Sequence, residues 1–401
     1  MNIFVINTGS SSLKYQLFKM PDEQPVCTGL IERIGTDSSG ITHKTYINGE
    51  ESVVKEKIRL NDHEAGLYEV TRLLTDKKIG VISSLNDIEV VGHRAVHGGE
   101  TFSSTTFITD EVMDKIKELF SLAPLHNPAN YIGIQVAQKV FPGAKQVAVF
   151  DTAFHQTMPP KAFRFAIPQS YYIKHHIRAY GFHGTSHKYV AAKAAEYLNN
   201  KDAKIITIHL GNGSSMAAID KGHSVDTTMG LGPVGGLIMG TRSGDIDPSV
   251  IFHLLEQMKM TPQEVIDLLN KKSGMIGLTG HSDMRDIHKL ANDGDKNAEL
   301  AFELYAYRIK KYIGAYAAVL NGLDAIVFTA GVGENDTDIR KRVCTNMQYL
   351  GIHIDEAKNI TPGKGTREIN TAGSPVKVLV KPTNEELEIV KQCYELVSKE
   401  S

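Results

Sequence analysis

Apolar residues fall in short runs along this chain, and the runs either break at glycine- and serine-rich turns or pass into helical periodicity. Ile3 to Ile6 is one such run; it closes in Asn-Thr-Gly-Ser-Ser-Ser, and apolar positions resume from Leu13 to Phe18. That pattern predicts strand, tight turn, strand. It returns at Ile205 to Leu210, where Gly-Asn-Gly-Ser-Ser makes the turn and Met216 to Ile219 the second strand. Gly9-Ser10-Ser11 aligns with Gly213-Ser214-Ser215 at an offset of 204 residues, about half of the 401-residue chain. A unit repeated at half-length predicts two similar domains rather than a solenoid.

Helical periodicity covers Asp110 to Leu122, Pro128 to Val140 and Ser186 to Leu198, with Pro128 suited to a first turn. Ile88 to Val91 and Gln146 to Phe150 read as further strands. Later, Pro248 to Met258, Pro262 to Asn270 and Asn297 to Leu320 are predicted helices. Ala325 to Phe328 and Val376 to Val380 are predicted strands, and a closing helix runs from an Asn384 N-cap to Ser398. Strands alternating with helices make this an α/β chain. Its length exceeds a typical single domain and no low-complexity linker interrupts it, so a compact hinge is expected near Asp151.

Composition narrows the chemistry. Lys and Arg total 44 against 46 Asp and Glu, a net charge of −2, so neither nucleic acid nor an anionic membrane is expected as partner. An anionic ligand has to be met by locally placed charge. The 3 scattered cysteines, Cys27, Cys344 and Cys393, suit a reducing cytoplasm rather than a disulfide scaffold. The first residues carry no signal-peptide pattern and no apolar stretch reaches membrane-spanning length, so a cytoplasmic protein is expected.

Three glycine-bearing turns follow apolar strands: Asn7 to Ser12, Gly211 to Ser215 and Gly331 to Asn335. Glycine lets a backbone approach a ligand closely, and turn N–H groups can converge on phosphate oxygens. Each turn alone is ordinary hairpin chemistry; together they favour a nucleotide clasp, with two phosphate loops and one loop against the adenosine. A Walker A pattern is absent. Gly230, Gly232 and Gly235 spell G-x-G-x-x-G, but no strand leads into them and Pro233 interrupts, which argues against a Rossmann site. His93 and His97, like His183 and His187, have the i,i+4 spacing of zinc ligands, yet glycines break any helix across them and no glutamate follows.

Arg94, in His-Arg-Ala-Val-His-Gly-Gly, is suited to gripping a carboxylate through two donors, the bland alternative being a surface arginine. His126 precedes a predicted helix and can serve as its cap; Asp151 ends a predicted strand, with capping again the alternative. Arg242 stands in a glycine-rich loop, free to reach a ligand. Without any family, these features predict a two-domain phosphoryl-transfer enzyme acting on a small anion.

The segments INTGSSSLKY, GHRAVHGGE, APLHNP, FDTAFH, GFHGTSH, HLGNGSS, GPVGGLIMGTRSGDIDP, TAGVGEN and PTNEE resemble the acetate kinase family, in the family's order. The likeness runs from Asn7 to Glu386, and the long segment ending in TRSGDIDP is highly specific. The resemblance implies an α/β fold of two RNase H-like domains, of the actin, Hsp70 and sugar kinase type, facing across a nucleotide cleft. The first would span 1–150, with the C-terminal helix 385–401 packed back on it; the second, 151–384, would bind nucleotide and dimerise. It further implies a homodimer that transfers the γ-phosphoryl group of ATP reversibly to acetate, with ATP/ADP as co-substrate and Mg²⁺, or Mn²⁺ in its place, as cofactor.

Carried over by motif, Asn7 and Glu385 would hold the metal, and Lys14, His209, Leu210, Gly211, Asn212 and Gly213 would contact the ATP phosphates. Asp283, Met284 and Arg285, with Gly331, Val332, Gly333, Glu334 and Asn335, would shape the adenosine pocket. Arg94 would bind the acetate carboxylate, and Val96, Leu125, Phe182 and Pro233 would enclose its methyl group. His126, His183 and Arg242 would surround the transferring phosphoryl group, with Asp151 beside them as an orienting acid. The alternatives are a propionate or butyrate kinase and, from another class, an actin- or Hsp70-like ATPase working as a binding machine.

Overall fold

The computed structural model describes residues 1–124 and 126–400. The chain forms two compact units, Met1–Ala153 with the C-terminal segment from Asn384, and Phe154–Thr383. Each is built on one mixed sheet.

The first sheet contains β1 (Asn2–Thr8), β2 (Leu13–Lys19), β3 (Pro25–Glu32), β4 (Gly40–Ile47), β5 (Glu50–Lys57), β6 (Val90–Ala95), β7 (Thr106–Phe107) and β8 (Lys145–Phe150). Their spatial order is β5-β4-β3-β2-β1-β6-β8-β7. β1 to β5 form an antiparallel meander, whereas β6 runs parallel to β1 and β8 parallel to β6. Ile3 to Ile6 are all buried because both faces of β1 are covered. Phe4 and Ile6 share a core with Val136 and Ala137 of the helix Asn127–Val140. On the other face, Gly92 leaves room for the helix Glu385–Ser398: a Cβ there would stand 2.8 Å from Cys393 Sγ.

The second sheet contains β9 (Lys204–Leu210), β10 (Ser214–Asp220), β11 (His223–Thr227), β12 (Ala325–Thr329), β13 (Arg367–Glu368) and β14 (Lys377–Val380), ordered β11-β10-β9-β12-β14-β13. The runs β3-β2-β1-β6-β8 and β11-β10-β9-β12-β14 have the same order and the same strand directions, three antiparallel strands followed by two parallel ones. The half-length repeat in the sequence is therefore a repeat of sheet topology, and the fold is the two-domain α/β fold expected. Core residues of the long helix Lys296–Leu320, among them Phe302, Tyr305 and Ile309, pack with Ile206, Ile208 and Phe328 of this sheet.

Three elements differ from the sequence reading. The strand expected over Ile88 to Val91 starts later and runs to Ala95, because Ile88 closes a 3₁₀ turn over Leu85–Asp87. Arg94 therefore lies in a strand rather than in the loop after one. The helix from Asp110 is α-helical only to Glu118 and tightens to 3₁₀ over Leu119–Ser121. Gly331 to Asn335 is no open turn: Ala330–Asn335 is a short helix, entered through Ala330 at φ +63°.

Candidate active site

Parallel strands β1, β6 and β8 finish at one end of the first sheet, and there they collect charge. Arg94 donates from Nη2 and Nε to a single oxygen of Asp151, at 2.5 and 3.1 Å, and its Nη1 lies 3.4 Å from Asn7 Oδ1. Asp151 thus binds a guanidinium through one of its oxygens. The first turn of the C-terminal helix adds Glu385 and Glu386, and Glu386 pairs with Lys14 at 2.6 Å. Burial works against the Arg94 charge, but Asp151, Glu385 and Glu386 outweigh it and hold the guanidinium above its ordinary pKa. Burial, aided by Asp151 and Glu386 and opposed by Arg94 and Lys14, raises the Glu385 carboxyl.

The loop that leaves β6 is pinned from behind by two asparagines. Asn130 accepts from Val96 N at 3.1 Å and donates to Thr8 O at 2.9 Å; Asn127 accepts from His97 N and donates to His97 O, both at 3.0 Å. Val96 is buried beside them. His126 occupies the N-cap position of Asn127–Val140, but its side chain makes no cap hydrogen bond. Leu125 lies outside the described residues. His93 Nε2 meets Gln146 Oε1 at 2.7 Å, and burial pushes His93 and His97 down to about 4. Among the described residues, no group of three His, Cys, Asp or Glu side chains is placed to hold a metal ion.

In the second unit, the β9–β10 hairpin turns through Gly211, Asn212 and Gly213. A Cβ on Gly213 would stand 3.4 Å from His183 Nε2 and 3.6 Å from Arg242 Nη1, so both groups border the space this glycine leaves open. His183 itself is left-handed, at φ +56°, a conformation that non-glycine residues keep only when their surroundings impose it. Its ring stacks on His209 with centroids 4.3 Å apart, and its Nδ1 lies 2.8 Å from Ser215 Oγ. Phe182, just before it, is buried. Arg242 Nη1 donates to Pro233 O at 3.2 Å; among the described residues no carboxylate pairs with this arginine, and burial lowers its pKa. Its loop is fixed by Asp245, which accepts from Gly236 N at 2.6 Å and from the Tyr312 hydroxyl at 2.5 Å.

Beside this turn lies a cavity of about 840 Å³, lined by Gly211 and Asn212, by Asp283, Met284 and Arg285, and by Gly331, Val332 and Asn335. Arg285 hydrogen bonds to Asp283 and holds its carboxyl down to about 2. Gly333 and Glu334 do not line the cavity; Glu334 Oε1 accepts instead from Thr383 N at 3.2 Å. Leu210 is a core residue of β9. Tyr305, His288 and Asp336 also line the cavity, with His288 Nε2 2.8 Å from Asp336 Oδ2. None of these three, nor Asn127 and Asn130, stands out in the sequence, although the two asparagines share a stretch with His126.

A nucleotide-sized cavity, glycine turns and an arginine that pairs with no carboxylate among the described residues, carried on two sheets of one topology, define a two-domain phosphotransferase of the kinase class. The chain matches the Acetokinase family over residues 2–391 and belongs to that family. It is 56% identical over 397 residues to the acetate kinase of Flavobacterium johnsoniae, covering 99% of this chain and 100% of that one. The acetate kinase of Thermotoga maritima is 52% identical over 404 residues, covering 100% and 99%. Among solved structures, Porphyromonas gingivalis acetate kinase superposes with a TM-score of 0.91 at 45% identity, with 99% of each chain covered. A propionate kinase from Francisella tularensis subsp. tularensis also reaches 0.91, at 42% identity and 98% of each chain.

Proposed function

We propose that the protein moves the γ-phosphoryl group of ATP directly onto the carboxylate of acetate, giving acetyl phosphate and ADP, and runs the same reaction in reverse. The observation that carries this reading is the meeting of His183 Nε2 and Arg242 Nη1 beside Gly213, next in the chain to residues that line the large cavity. Acetate is ionised at neutral pH, since carboxylic acids titrate near 4, so the attacking oxygen needs no general base. The work left for the protein is positioning and stabilisation of charge.

In this reading Arg94 holds the acceptor carboxylate. Asp151 already occupies the Nε–Nη2 side of the guanidinium, which leaves the Nη1–Nη2 edge to present a fork. By family resemblance we assign the methyl group to Val96, Leu125, Phe182 and Pro233, and the transferring phosphoryl oxygens to Arg242, His183 and His126. The other phosphates are assigned to Lys14, His209, Gly211, Asn212 and Gly213, and the adenosine end to Asp283, Met284 and Arg285 with Gly331, Val332 and Asn335, which line the cavity. An all-oxygen pair, Asn7 and Glu385, suits a hard cation, and a divalent ion would offset the burial, and the nearby Asp151 and Glu386 charges, that raise Glu385. Few protein ligands are what Mg²⁺ accepts, because it retains several waters. When bound there, Mg²⁺ (or Mn²⁺) would neutralise charge on the nucleotide phosphates.

We further propose a cytoplasmic homodimer assembled through the second unit. Supporting it are large apolar side chains exposed on that unit, including Phe252 and Tyr307, and 3 cysteines that are all free and buried. No helix among the described residues is long and apolar enough to cross a membrane.

Trapping acyl phosphate with hydroxylamine tests the assignment across acetate, propionate and butyrate. Acetyl hydroxamate formed one-for-one with ADP is the expected result, with acetate used best. Preference for propionate or butyrate would move the substrate to a longer acid. ATP hydrolysis indifferent to every acid would overturn the transferase reading.

A further inference from the structure

Four polar side chains of the second unit form a line that ends on His183. Thr207 Oγ1 lies 2.7 Å from His187 Nδ1, His187 Nε2 lies 2.7 Å from Ser215 Oγ, and Ser215 Oγ lies 2.8 Å from His183 Nδ1. Thr207, His187 and Ser215 are completely buried, so each proton along the line needs an acceptor inside the protein. Burial, reinforced by His155 and His209, holds His187 well below the ordinary histidine pKa, and it is neutral near pH 7. A neutral imidazole carries one N–H, so the line can run in two senses.

In one sense His187 donates from Nδ1 to Thr207. The Thr207 hydroxyl proton would then need a different acceptor, and its side chain has no other hydrogen-bond partner among the described residues. That sense strands a buried donor. In the other sense Thr207 donates to His187 Nδ1, His187 donates from Nε2 to Ser215, and Ser215 donates to His183 Nδ1. Every proton on the line then has an acceptor.

We infer that Thr207, His187 and Ser215 are positioning residues that hold His183 as the Nε2–H tautomer, with that N–H bordering the space beside Gly213 and Arg242. This rests on the reading above that the transferring phosphoryl group passes there. An Nε2 lone pair would face anionic oxygens; an Nε2–H donates to them.

The test is long-range ¹H–¹⁵N correlation on the unliganded enzyme labelled at histidine nitrogens, with His183 assigned by the signals lost in His183→Gln. The wild type should show the neutral Nε2–H form. Ser215→Ala should mix or reverse the tautomer and lower kcat about tenfold or more, with both KM values within about twofold, because the donor acts on the transition state. Ser215→Cys, which keeps a weaker donor, should recover part of the rate. An Nδ1–H His183 in the wild type, or wild-type kcat in Ser215→Ala, overturns the inference. The tautomer is read without turnover, so a failure of the acetate assignment would leave it in place, and a failed relay would leave acyl phosphate formation intact.

Discussion

The two hairpins that begin each sheet occupy equivalent places and carry different chemistry. Next to the turn of the first, Asn7 faces Lys14 across the strands; next to the turn of the second, His209 faces Ser215. Lys14 reaches Glu386 in a cluster that also holds Arg94, Asp151 and Glu385, and its geometry is set by opposite charges. Ser215 instead joins the two imidazoles of His187 and His183, and His183 borders the same space as Arg242, which pairs with no carboxylate among the described residues. A shared topology therefore fixes where side chains emerge, not what they do. The charged end should respond to cations and pH, whereas the neutral end should respond to the loss of a single donor.

Arg242→Ala should break the comparison most severely. It removes the cation that borders the space beside Gly213 together with His183, unpairing no carboxylate among the described residues. A positive group facing developing phosphoryl charge is worth about 10³ or more in rate. We expect kcat to fall by that order while the KM values for both substrates stay nearly unchanged. Wild-type kcat with weakened binding would move Arg242 to a ground-state role.

Arg94→Ala should act through binding of the acid and should also leave Asp151 unpaired. Truncating one partner of such a pair costs about 2–5 kcal/mol, so kcat/KM for acetate should drop roughly 30-fold or more. Arg94→Lys should restore little, since a point charge does not reproduce the fork. An unchanged acetate KM in both variants would contradict the role given to Arg94.

Glu385→Gln sharpens the contrast through pH. The native Glu385 carboxyl is raised, so the folded state binds the proton more tightly than the unfolded chain, and stability falls as pH rises through that range. The variant, which never ionises, should melt above the wild type at neutral pH in the absence of Mg²⁺. The gap should close once pH drops below about 4, where an unperturbed glutamate is itself protonated. Kinetically, it should need more Mg²⁺ for half-maximal rate. Equal melting curves across pH, together with a wild-type Mg²⁺ titration, would make Glu385 an ordinary first-turn acid.

Val96→Ala should have the smallest effect. Burying one additional methylene is worth about 0.8 kcal/mol, so the propionate-to-acetate ratio of kcat/KM should rise several-fold. A lower Tm with an unchanged ratio would place Val96 in the core alone.

The parts of the fold that could be read from the sequence are those whose buried positions are apolar. β12, Ala325–Thr329, is buried at every residue and reads as a continuous apolar run. β4 is invisible by the same measure, because two of its buried positions are His43 and Thr45, with His43 Nδ1 meeting the Tyr15 hydroxyl at 2.7 Å. β5 is a charged edge strand, where Glu and Lys keep other chains from pairing and hide the alternation. At the site, Arg94 and Arg242 could be singled out because glycine-rich sequence surrounds them. Thr207 and Tyr305 could not, and His187 shows only as half of a zinc-like spacing, since each acquires meaning from a partner about 20 to 90 residues away.

We propose that one phosphoryl group passes directly between nucleotide and carboxylate, with Arg94 holding the acid and Arg242 and His183 the transferring group. ATP made chiral at the γ-phosphorus with oxygen isotopes tests it in a single measurement. Direct in-line transfer predicts acetyl phosphate with inverted configuration at phosphorus. Retention would require two displacements through a phosphorylated side chain and would contradict the account.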